Sequence, residues 1–305
     1  MVDMSVKIAG VEFKNPVIAA SGTFAFGEEY ALYMDVSAIG GFALKALTRE
    51  QREGNAPPRI AETPSGVLNA VGLQNPGVDA FIKDIYPRVS KIDTVQIANI
   101  AGTTTDDYLY VIDKLNDTDI QMFELNVSCP NVKEGGMSFG TDAGVLADIV
   151  RQAKQAAKKP LIVKLTPNVT SITEMAFAAK EGGADALSLI NTVGGMAVNA
   201  FSRRPVMANV TGGLSGPAIK PVALKMVYEV YSCGVALPII GMGGIMNGID
   251  AAEFMIAGAD AVMVGTATMN SPAATRRIAD ELKAFASEEK LSHITELTGS
   301  LVINN

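Results

Sequence analysis

The first residue of chemical interest is a cysteine in a polar, glycine-rich part of the sequence. Cys129 lies in the run Asn-Val-Ser-Cys-Pro-Asn at 126–131, just after a segment with the pattern of a buried strand. Residues 133–140 include three glycines, which is typical of a loop that moves over a site. A thiolate at such a position could act as a base or as a nucleophile. We expect the other cysteine, Cys233, to be inert filler in the core, the usual role of a lone cysteine.

Two lysines interrupt apolar segments of the sequence. Lys45 lies in Phe-Ala-Leu-Lys-Ala and Lys164 in Leu-Ile-Val-Lys-Leu. An ammonium group in such a segment is costly to bury unless it is paired or used. Pairing with a buried carboxylate is one explanation. Because both lysines stand near the carboxyl ends of predicted strands, we favour the other explanation, a cation that faces a ligand which becomes anionic.

Asparagines also gather at the ends of apolar segments. Asparagine forms strands poorly, but its amide supplies both hydrogen-bond donors and an acceptor. Any single asparagine is most simply a turn or cap residue, whereas several at strand ends predict a polar, planar ligand with amide and carboxylate groups. Asn99, Asn126 and Asn191, the last of which precedes Thr192, stand at predicted strand ends, and Asn69, Asn75 and Asn131 lie in the connections at the same face.

Glycine-rich sequences follow the last two apolar segments. They read Gly-Met-Gly-Gly and Val-Gly-Thr. Backbone N–H groups at glycines can approach an anion closely, and the N-terminus of a following helix adds a favourable dipole. We therefore expect Gly243, Gly244 and Gly265 to bind the phosphate of a ligand. Gly216, which precedes Pro217 at a predicted helix start, is a candidate contributor from a third segment.

The elements that must position these residues are short apolar segments that alternate with amphipathic helical patterns, such as those at 104–116 and 142–158. Apolar runs rich in β-branched residues are typical of strands buried on both faces of a parallel sheet. Eight strand–helix units in one chain favour an α/β fold, a (β/α)8 TIM barrel. The residues at 6–15 predict an N-terminal β-hairpin that caps the bottom of the barrel. The predicted strands are 17–20, 42–46, 94–99, 121–127, 161–165, 186–190, 237–241 and 261–265.

Three connections in this pattern are longer than the others. They lie at 47–75, 128–141 and 191–216, each after a predicted strand and before a helix. This places them at the carboxyl-terminal face, where barrel active sites are built. Surface decoration would explain one long loop, but three on the same face favour an active site.

The composition limits the chemistry and the partners. The chain has 305 residues, a net charge of −7, two cysteines and one histidine, His293. A zinc site built on His and Cys would need more ligands, and a Ser-His-Asp triad would depend on His293 alone. The acidic charge argues against nucleic acid and anionic membranes. The few cysteines, together with the lack of a signal peptide or a long apolar stretch, predict a cytoplasmic protein, and we expect residues 1–305 to form a single domain.

Together these motifs resemble the class 1 dihydroorotate dehydrogenases, over essentially the whole chain. The form of the 126–140 segment is similar to class 1B, whose partner subunit carries FAD and a 2Fe–2S cluster and uses NAD+. Class 2 enzymes use serine as the base and have a membrane-binding N-terminal extension, so Cys129 and the absence of that extension place the sequence outside class 2. The resemblance rests on the Cys129 motif together with Lys45, the run Asn-Ala-Val-Gly-Leu-Gln-Asn at 69–75, Lys164, Ile-Asn-Thr at 190–192, Gly243-Gly244 and Gly265-Thr266.

The resemblance implies FMN as cofactor, dihydroorotate as substrate and a role in pyrimidine biosynthesis. It implies that Cys129 removes a proton from C5 while hydride leaves C6 for flavin N5, and that Lys164 stands near flavin N1. It also implies a homodimer that forms the core of a heterotetramer with two electron-transfer subunits. The implied cofactor-binding residues are Ser21, Lys45, Ala46, Asn99, Asn126, Lys164, Ile190, Gly216, Gly243, Gly244, Gly265 and Thr266. The implied substrate-binding residues are Lys45, Asn69, Ala70, Val71, Gly72, Leu73, Asn126, Asn131, Asn191 and Thr192.

Three alternatives remain open at the level of the sequence. A class 1A enzyme would share the barrel and pass electrons to fumarate. A related flavin barrel that acts on another dihydropyrimidine, such as a uracil derivative, would keep the cysteine and the asparagines but lack a site for the substrate carboxylate. A barrel that only binds a phosphate-bearing ligand would show no flavin absorbance.

Overall fold

The computed structural model describes residues 2–128 and 139–303, and a closed barrel of eight parallel strands lies at its centre. Each strand pairs with the next along the chain, and the eighth pairs with the first through Val264 and Ala19. The predicted (β/α)8 barrel is therefore confirmed, with all strand bounds within about three residues of those expected, well inside the usual scatter of boundary assignment. In chain order the strands β1 to β8 are Val17–Ala19, Gly41–Ala43, Val95–Ile100, Met122–Asn126, Leu161–Leu165, Ala186–Leu189, Ile239–Met242 and Ala261–Val264.

Helices that follow the strands bury the apolar faces that the sequence predicts. The helix Thr105–Asn116 buries Tyr108, Val111, Ile112 and Leu115. The other helices of nine or more residues are Ala143–Ala156, Ile172–Glu181, Lys220–Ser232, Gly248–Ile256 and Ala274–Glu288. Shorter helical segments are Glu28–Leu32, Val36–Ala38, Val78–Ala80, Phe81–Ile85, Tyr86–Val89, Pro217–Ile219, Ala267–Asn270 and Ile294–Leu297. Among the described residues, none of these helices has both the length and the apolar character that a membrane crossing requires.

The core occupies both faces of the barrel strands. Every residue of β1, β2, β6, β7 and β8 is buried. This is why the strands appear in the sequence as continuous apolar runs rather than as alternating ones. Polar residues inside such a barrel need partners, because an unpaired polar group there loses its hydration without compensation.

Two of the three long loops combine into one antiparallel sheet. Strands Ile60–Thr63 and Gly66–Asn69 come from the loop after β2, and strands Val193–Met196 and Thr211–Ser215 come from the loop after β6. The central pairing joins Gly66–Asn69 to Thr211–Ser215, with Asn69 opposite Gly213. This pairing holds the two loops together at the carboxyl end of the barrel. A small second ribbon, Val198–Asn199 with Arg204–Pro205, extends from the same loop.

The N-terminal hairpin lies at the opposite end of the barrel, as predicted. Its strands are Val6–Ile8 and Val11–Phe13, and the buried ring of Phe13 packs against Gly41 at the start of β2. The Nζ of Lys14 donates hydrogen bonds to the carbonyl oxygens of Ser37 and Asp93, at 2.6 and 3.0 Å. Both carbonyl groups precede strands, so the hairpin covers the amino-terminal ends of β2 and β3.

Candidate active site

A fully buried carboxylate lies inside the barrel, on β4. The side chain of Glu124 has no solvent exposure. Its Oε1 accepts a hydrogen bond of 2.7 Å from the hydroxyl of Ser188 on β6, and its Oε2 accepts one from the amide of Asn99 on β3. The Nζ of Lys164 on β5 lies 3.7 Å from the same Oε2. Four adjacent strands thus bring four polar side chains together. Neither Glu124 nor Ser188 is among the residues that we predicted for the site.

Lys164 is the cation of this cluster, and its side chain is only 6% exposed. Its Nζ also donates a hydrogen bond of 3.4 Å to the hydroxyl of Ser21, just after β1. The pairing with a buried carboxylate, which we had considered the weaker of two explanations, is therefore present for Lys164. It does not exclude a ligand, because an ammonium group has three donor hydrogens. The predicted contact of Lys164 with a ligand stays a prediction.

Three of the predicted asparagines form a connected chain. The amide nitrogen of Asn126 donates to Oδ1 of Asn99 at 3.4 Å, and the amide nitrogen of Asn191 donates to Oδ1 of Asn126 at 3.4 Å. These residues stand at the ends of β3, β4 and β6. They present amide groups to the same end of the barrel that holds Lys164.

Asn75 does not belong to this chain of amides, and it has the turn role that we expect of a single asparagine. Its side chain is buried and accepts hydrogen bonds from the backbone N–H groups of Thr48 and Gly77. Its amide nitrogen donates to the hydroxyl of Thr48 and to the carbonyl oxygen of Leu73, both at 2.8 Å. All its polar capacity is used to hold a turn, as asparagine commonly does in loops.

The loop sheet brings Asn69 next to Thr192. The amide nitrogen of Asn69 donates to the carbonyl oxygen of Gly213 at 3.3 Å. An ideal Cβ at Gly213 would stand 2.0 Å from the hydroxyl oxygen of Thr192. Only glycine at this position leaves room for Thr192, which makes Gly213 a site residue that we did not predict. The Gly-Gly pair at 212–213 in the sequence is the signal that could have identified it.

The predicted segment 70–73 forms a tight turn beside this sheet. The N–H of Ala70 donates to the carbonyl oxygen of Arg59, and the carbonyl oxygen of Val71 accepts from the N–H of Asn55. Gly72 and Leu73 both have positive φ angles, of 78° and 57°. An ideal Cβ at Gly72 would lie 2.7 Å from a backbone nitrogen, so the glycine is needed for both its conformation and its close packing.

Lys45 lies two residues beyond β2, because the strand ends at Ala43 rather than at 46 as predicted. It lines an open cleft of about 720 Å³ together with Thr23, Val71 and Met269. Burial lowers the pKa of the Lys45 ammonium, and the positive charge of Arg59 lowers this pKa further. A ligand carboxylate placed here would relieve both effects.

A cradle of bare backbone lies at the ends of β7 and β8. Gly216, Gly243 and Gly244 have φ angles of +99°, +130° and +83°. A Cβ at Gly244 would stand 2.8 Å from the carbonyl oxygen of Gly216, and one at Gly243 would stand 2.7 Å from a neighbouring side chain. The hydroxyl of Thr266 donates to the hydroxyl of Ser215 at 2.9 Å, which ties the end of β8 to the residue before Gly216. The structure therefore brings these predicted residues together.

Gly265 borders the cradle on a more open side. The nearest atom to an ideal Cβ at Gly265 is 3.8 Å away. Lys220, whose backbone lies beside Gly244, directs its Nζ to Asp250 and Glu253, at 2.5 and 2.6 Å. An anion here would therefore be bound chiefly by backbone N–H groups, as phosphates are at glycine-rich turns.

Three further predicted residues lie between these features. Ser21 contacts Lys164, as described above. Ile190 is buried, and its N–H donates to the carbonyl oxygen of Met242 at 3.0 Å, beside the cradle. Ala46 is buried next to Leu47, whose N–H donates to the carbonyl oxygen of Asn99.

Two predicted residues, Cys129 and Asn131, lie outside the described residues. The residues on either side of this segment, Ser128 and Phe139, are described and have defined contacts. The N–H of Ser128 donates to Oδ1 of Asn126 at 3.3 Å. On the other side, the buried ring of Phe139 meets Tyr108 edge-on, with ring centroids 5.8 Å apart. The hydroxyl of Tyr108 in turn donates to the carbonyl oxygen of Asn126 at 2.8 Å. Both flanks of the cysteine segment therefore lie at the carboxyl end of β4.

The chain is similar to known proteins over nearly all of its length. The family model described as dihydroorotate dehydrogenase matches residues 3–286. A protein of Petrotoga mobilis named "Dihydroorotate dehydrogenase B (NAD(+)), catalytic subunit" is 52% identical over 299 residues, which cover 98% of this chain and 99% of the relative. Proteins with the same name from Alkaliphilus metalliredigens and Bacteroides thetaiotaomicron are 53% and 50% identical over 300 and 304 residues. These alignments cover 98% and 99% of this chain, and 99% and 100% of the two relatives.

Proposed function

The chain belongs to the dihydroorotate dehydrogenase family, and we propose that it is the catalytic subunit of an NAD+-type enzyme that oxidises (S)-dihydroorotate to orotate in pyrimidine biosynthesis. The observation that carries this proposal is the convergence of three groups at the carboxyl end of one barrel. They are the buried cation Lys164, the asparagine chain and the glycine cradle. The relatives bear the NAD(+) name, which favours this function over the fumarate-dependent one.

FMN is the cofactor that these residues fit. The cradle would hold the phosphate on Gly216, Gly243, Gly244, Gly265 and Thr266. When bound, FMN supplies the hydride acceptor that none of the twenty side chains provides. Lys164 would offer its positive charge to the ring near N1. Ser21, Lys45, Ala46, Asn99, Asn126 and Ile190 would complete the cofactor site.

The substrate would lie between the asparagine chain and the loop sheet. Amide groups match the ring amides of dihydroorotate, since both present a donor and an acceptor. The Lys45 ammonium would bind the substrate carboxylate. Cys129 would remove the C5 proton, and a cysteine does so near neutral pH only where its surroundings favour the thiolate. The proposed substrate-binding residues are Lys45, Asn69, Ala70, Val71, Gly72, Leu73, Asn126, Asn131, Asn191 and Thr192.

We extend the proposal to the assembly. The words "catalytic subunit" in the names of the relatives imply a separate partner for those proteins. For this chain we propose a partner subunit with FAD and a 2Fe–2S cluster, which passes electrons to NAD+. A homodimer of the chain, which we treat as one domain over 1–305, would form the core of a heterotetramer. We place the enzyme in the cytoplasm, where thiols such as that of Cys129 stay reduced.

Anaerobic mixing with dihydroorotate tests the function. The purified protein should carry FMN, and its absorbance at about 450 nm should disappear when substrate is added, as flavin absorbance does on reduction. Fumarate should then restore little of that absorbance. A co-purified flavin and iron–sulfur subunit together with NAD+ should restore it fully. A colourless protein, or a flavin that dihydroorotate does not reduce, would refute the proposal, whereas rapid reoxidation by fumarate would favour the class 1A function.

A further inference from the structure

We propose that Glu124 is a positioning residue that keeps the Lys164 ammonium charged and in place at the cofactor ring. This inference rests on the proposed function, because it assigns the flavin to the space beside Lys164. It concerns a carboxylate that does not itself face the substrate and that acts through the lysine.

The burial of the two charges is the first support. The Lys164 side chain is 6% exposed and that of Glu124 is not exposed at all. Burial without a counter-charge drives a lysine towards its neutral form, whereas a nearby carboxylate favours the charged form. Within residues 2–128 and 139–303, Glu124 is the one carboxylate within 4.0 Å of Lys164. Glu124 is therefore the counter-charge of Lys164 in this part of the chain.

The geometry of the pair is the second support. The separation of 3.7 Å exceeds that of a direct N–H···O hydrogen bond, about 2.7–3.2 Å. The two carboxylate oxygens are instead engaged by Ser188 and Asn99. Glu124 thus supplies charge to Lys164 without occupying its hydrogens. One of them is donated to Ser21, and an ammonium group has three, which leaves donors for a ligand. A purely structural ion pair gains most from close contact, so the observed distance suits a cation that is held for another partner.

The asparagine chain is the third support. A carboxylate only accepts hydrogen bonds, so Asn99 must turn its NH2 group towards Glu124 and its oxygen towards Asn126. The oxygen of Asn126 then faces Asn191, which donates to it at 3.4 Å. Each amide orientation follows from the one before it. Glu124 therefore determines both the position of the Lys164 ammonium and the orientation of the asparagine amides that line the site.

The five side chains around Lys164 come from four strands or strand ends. Ser21 follows β1, Asn99 lies on β3, Glu124 and Asn126 lie on β4, and Ser188 lies on β6 opposite Lys164. Glu124 is the only charged group among these five side chains, which are all within the described residues. A pH dependence of the cation in a variant without Glu124 would accordingly belong to Lys164 itself.

Sulfite measures the charge at Lys164 without turnover. The sulfur lone pair forms a bond to N5 of oxidised flavin, and the electron pair displaced within the ring places one negative charge in the N1 region. No oxidant or reductant is needed. A cation near N1 stabilises this product, so the sulfite dissociation constant of the FMN-loaded protein, read from the loss of flavin absorbance, reports the cation directly.

The experiment compares wild type, Glu124→Gln, Lys164→Met and the double variant between pH 6 and pH 9. Each dissociation constant is divided by the wild-type value at the same pH, which removes the ionisation of sulfite itself. Glu124→Gln should stay within about threefold of wild type at pH 6 and bind sulfite about 100-fold more weakly by pH 9, the lower end of the range for losing one stabilising group. At pH 9 it should match Lys164→Met. Ser188→Ala is the matched control, because it removes a hydrogen bond to the same carboxylate but no charge, and it should stay near wild type throughout.

A wild-type affinity in Glu124→Gln at every pH would overturn the inference, and so would tighter binding or a loss by the same factor at every pH. If Glu124→Gln does not fold, the double variant decides, since it buries no unpaired charge. Equal sulfite affinity in the double variant and in Lys164→Met supports action through the lysine, because Glu124 has no cation to act on in either variant. A difference above about threefold contradicts it. A wild-type protein that binds no FMN would refute the proposed function and the inference with it, whereas wild-type sulfite binding with an indifferent Glu124→Gln refutes the inference alone.

Discussion

The glycine cradle makes a sharp prediction for the change Gly244→Ala. The φ angle of Gly244 is +83°, a region in which an L-residue costs about 1–2 kcal/mol. The new Cβ would stand 2.8 Å from the carbonyl oxygen of Gly216 and 2.8 Å from Cβ of Lys220. Relieving such contacts by a backbone shift costs about 1–3 kcal/mol. We therefore expect the variant to lose about 2–5 kcal/mol of unfolding free energy, the sum of these two ranges.

Gly10→Ala is the matched control for this change. Gly10 has a φ angle of +88°, and an ideal Cβ there meets no atom within 4 Å. It shares the conformational cost of Gly244 without the steric one and lies in the hairpin at the other end of the barrel. We expect it to lose about 1–2 kcal/mol. The gain from restricting the unfolded chain, about 0.4–1 kcal/mol, is common to both variants and cancels in the comparison.

Urea unfolding followed by circular dichroism gives the stability of each variant, and flavin fluorescence gives the FMN dissociation constant. Gly244→Ala should bind FMN about 10-fold or more weakly, which corresponds to 1.4 kcal/mol or more. Gly10→Ala should bind it as wild type does. If Gly244→Ala were no less stable than Gly10→Ala and kept its FMN affinity, both the close contacts and the assignment of the phosphate to the cradle would be wrong.

Three other changes test the rest of the site. Gly265→Ala should unfold within about 1 kcal/mol of wild type, because the nearest atom to its Cβ is 3.8 Å away, an ordinary contact distance, and a change that creates neither a clash nor a buried polar group costs little. It should nevertheless weaken FMN binding, and unchanged FMN affinity would remove Gly265 from the phosphate site. Cys129→Ala should keep its FMN, but the rate of flavin reduction by dihydroorotate should fall by about 100-fold or more, which is the effect of losing a general base. A near-normal rate in a stopped-flow measurement would exclude Cys129 as the base. Because burial lowers the pKa of Lys45, its cation is lost as pH rises through that lowered value, so dihydroorotate binding should weaken on the alkaline side at a lower pH than an ordinary lysine would give. Lys45→Met should bind dihydroorotate weakly, and its affinity should show no such decline at alkaline pH. A decline that persists in this variant would belong to a group other than Lys45.

The barrel is the part of the fold that local pattern specifies best. Strand β5, Leu161–Leu165, was predicted with its observed bounds, because a strand buried on both faces must be apolar on both. Boundaries were less exact where a strand meets a loop, as at Ala43, since the residues after it are also buried. The loop sheet was not predicted. Its strand Ile60–Thr63 alternates exposed and half-buried residues, and its pairing with a distant loop leaves no trace in either sequence alone.

In the site, residue type could be read from the sequence, whereas the surroundings of each side chain could not. Asn99, Asn126 and Asn191 were found from their type and their place at strand ends. Asn75 shares only the residue type and holds a turn, because the direction of a side chain is set by backbone that the sequence does not display. Glu124 was missed since a single carboxylate in a strand looks like an interruption until its partners on three neighbouring strands are known.

The loop sheet also bears on the order in which the protein assembles. Asn69 and Gly213 meet across 144 residues of chain, and contacts between such distant segments are costly in loop-closure entropy until the intervening structure has formed. The strands of the barrel pair with sequence neighbours, apart from the one closure between β8 and β1. We therefore expect the loop sheet, the proposed substrate side of the site, to form late in folding and to open while the barrel stays intact. A ligand that binds to both loops would stabilise their pairing. The free energy needed to open the sheet would then rise with the logarithm of the ligand concentration.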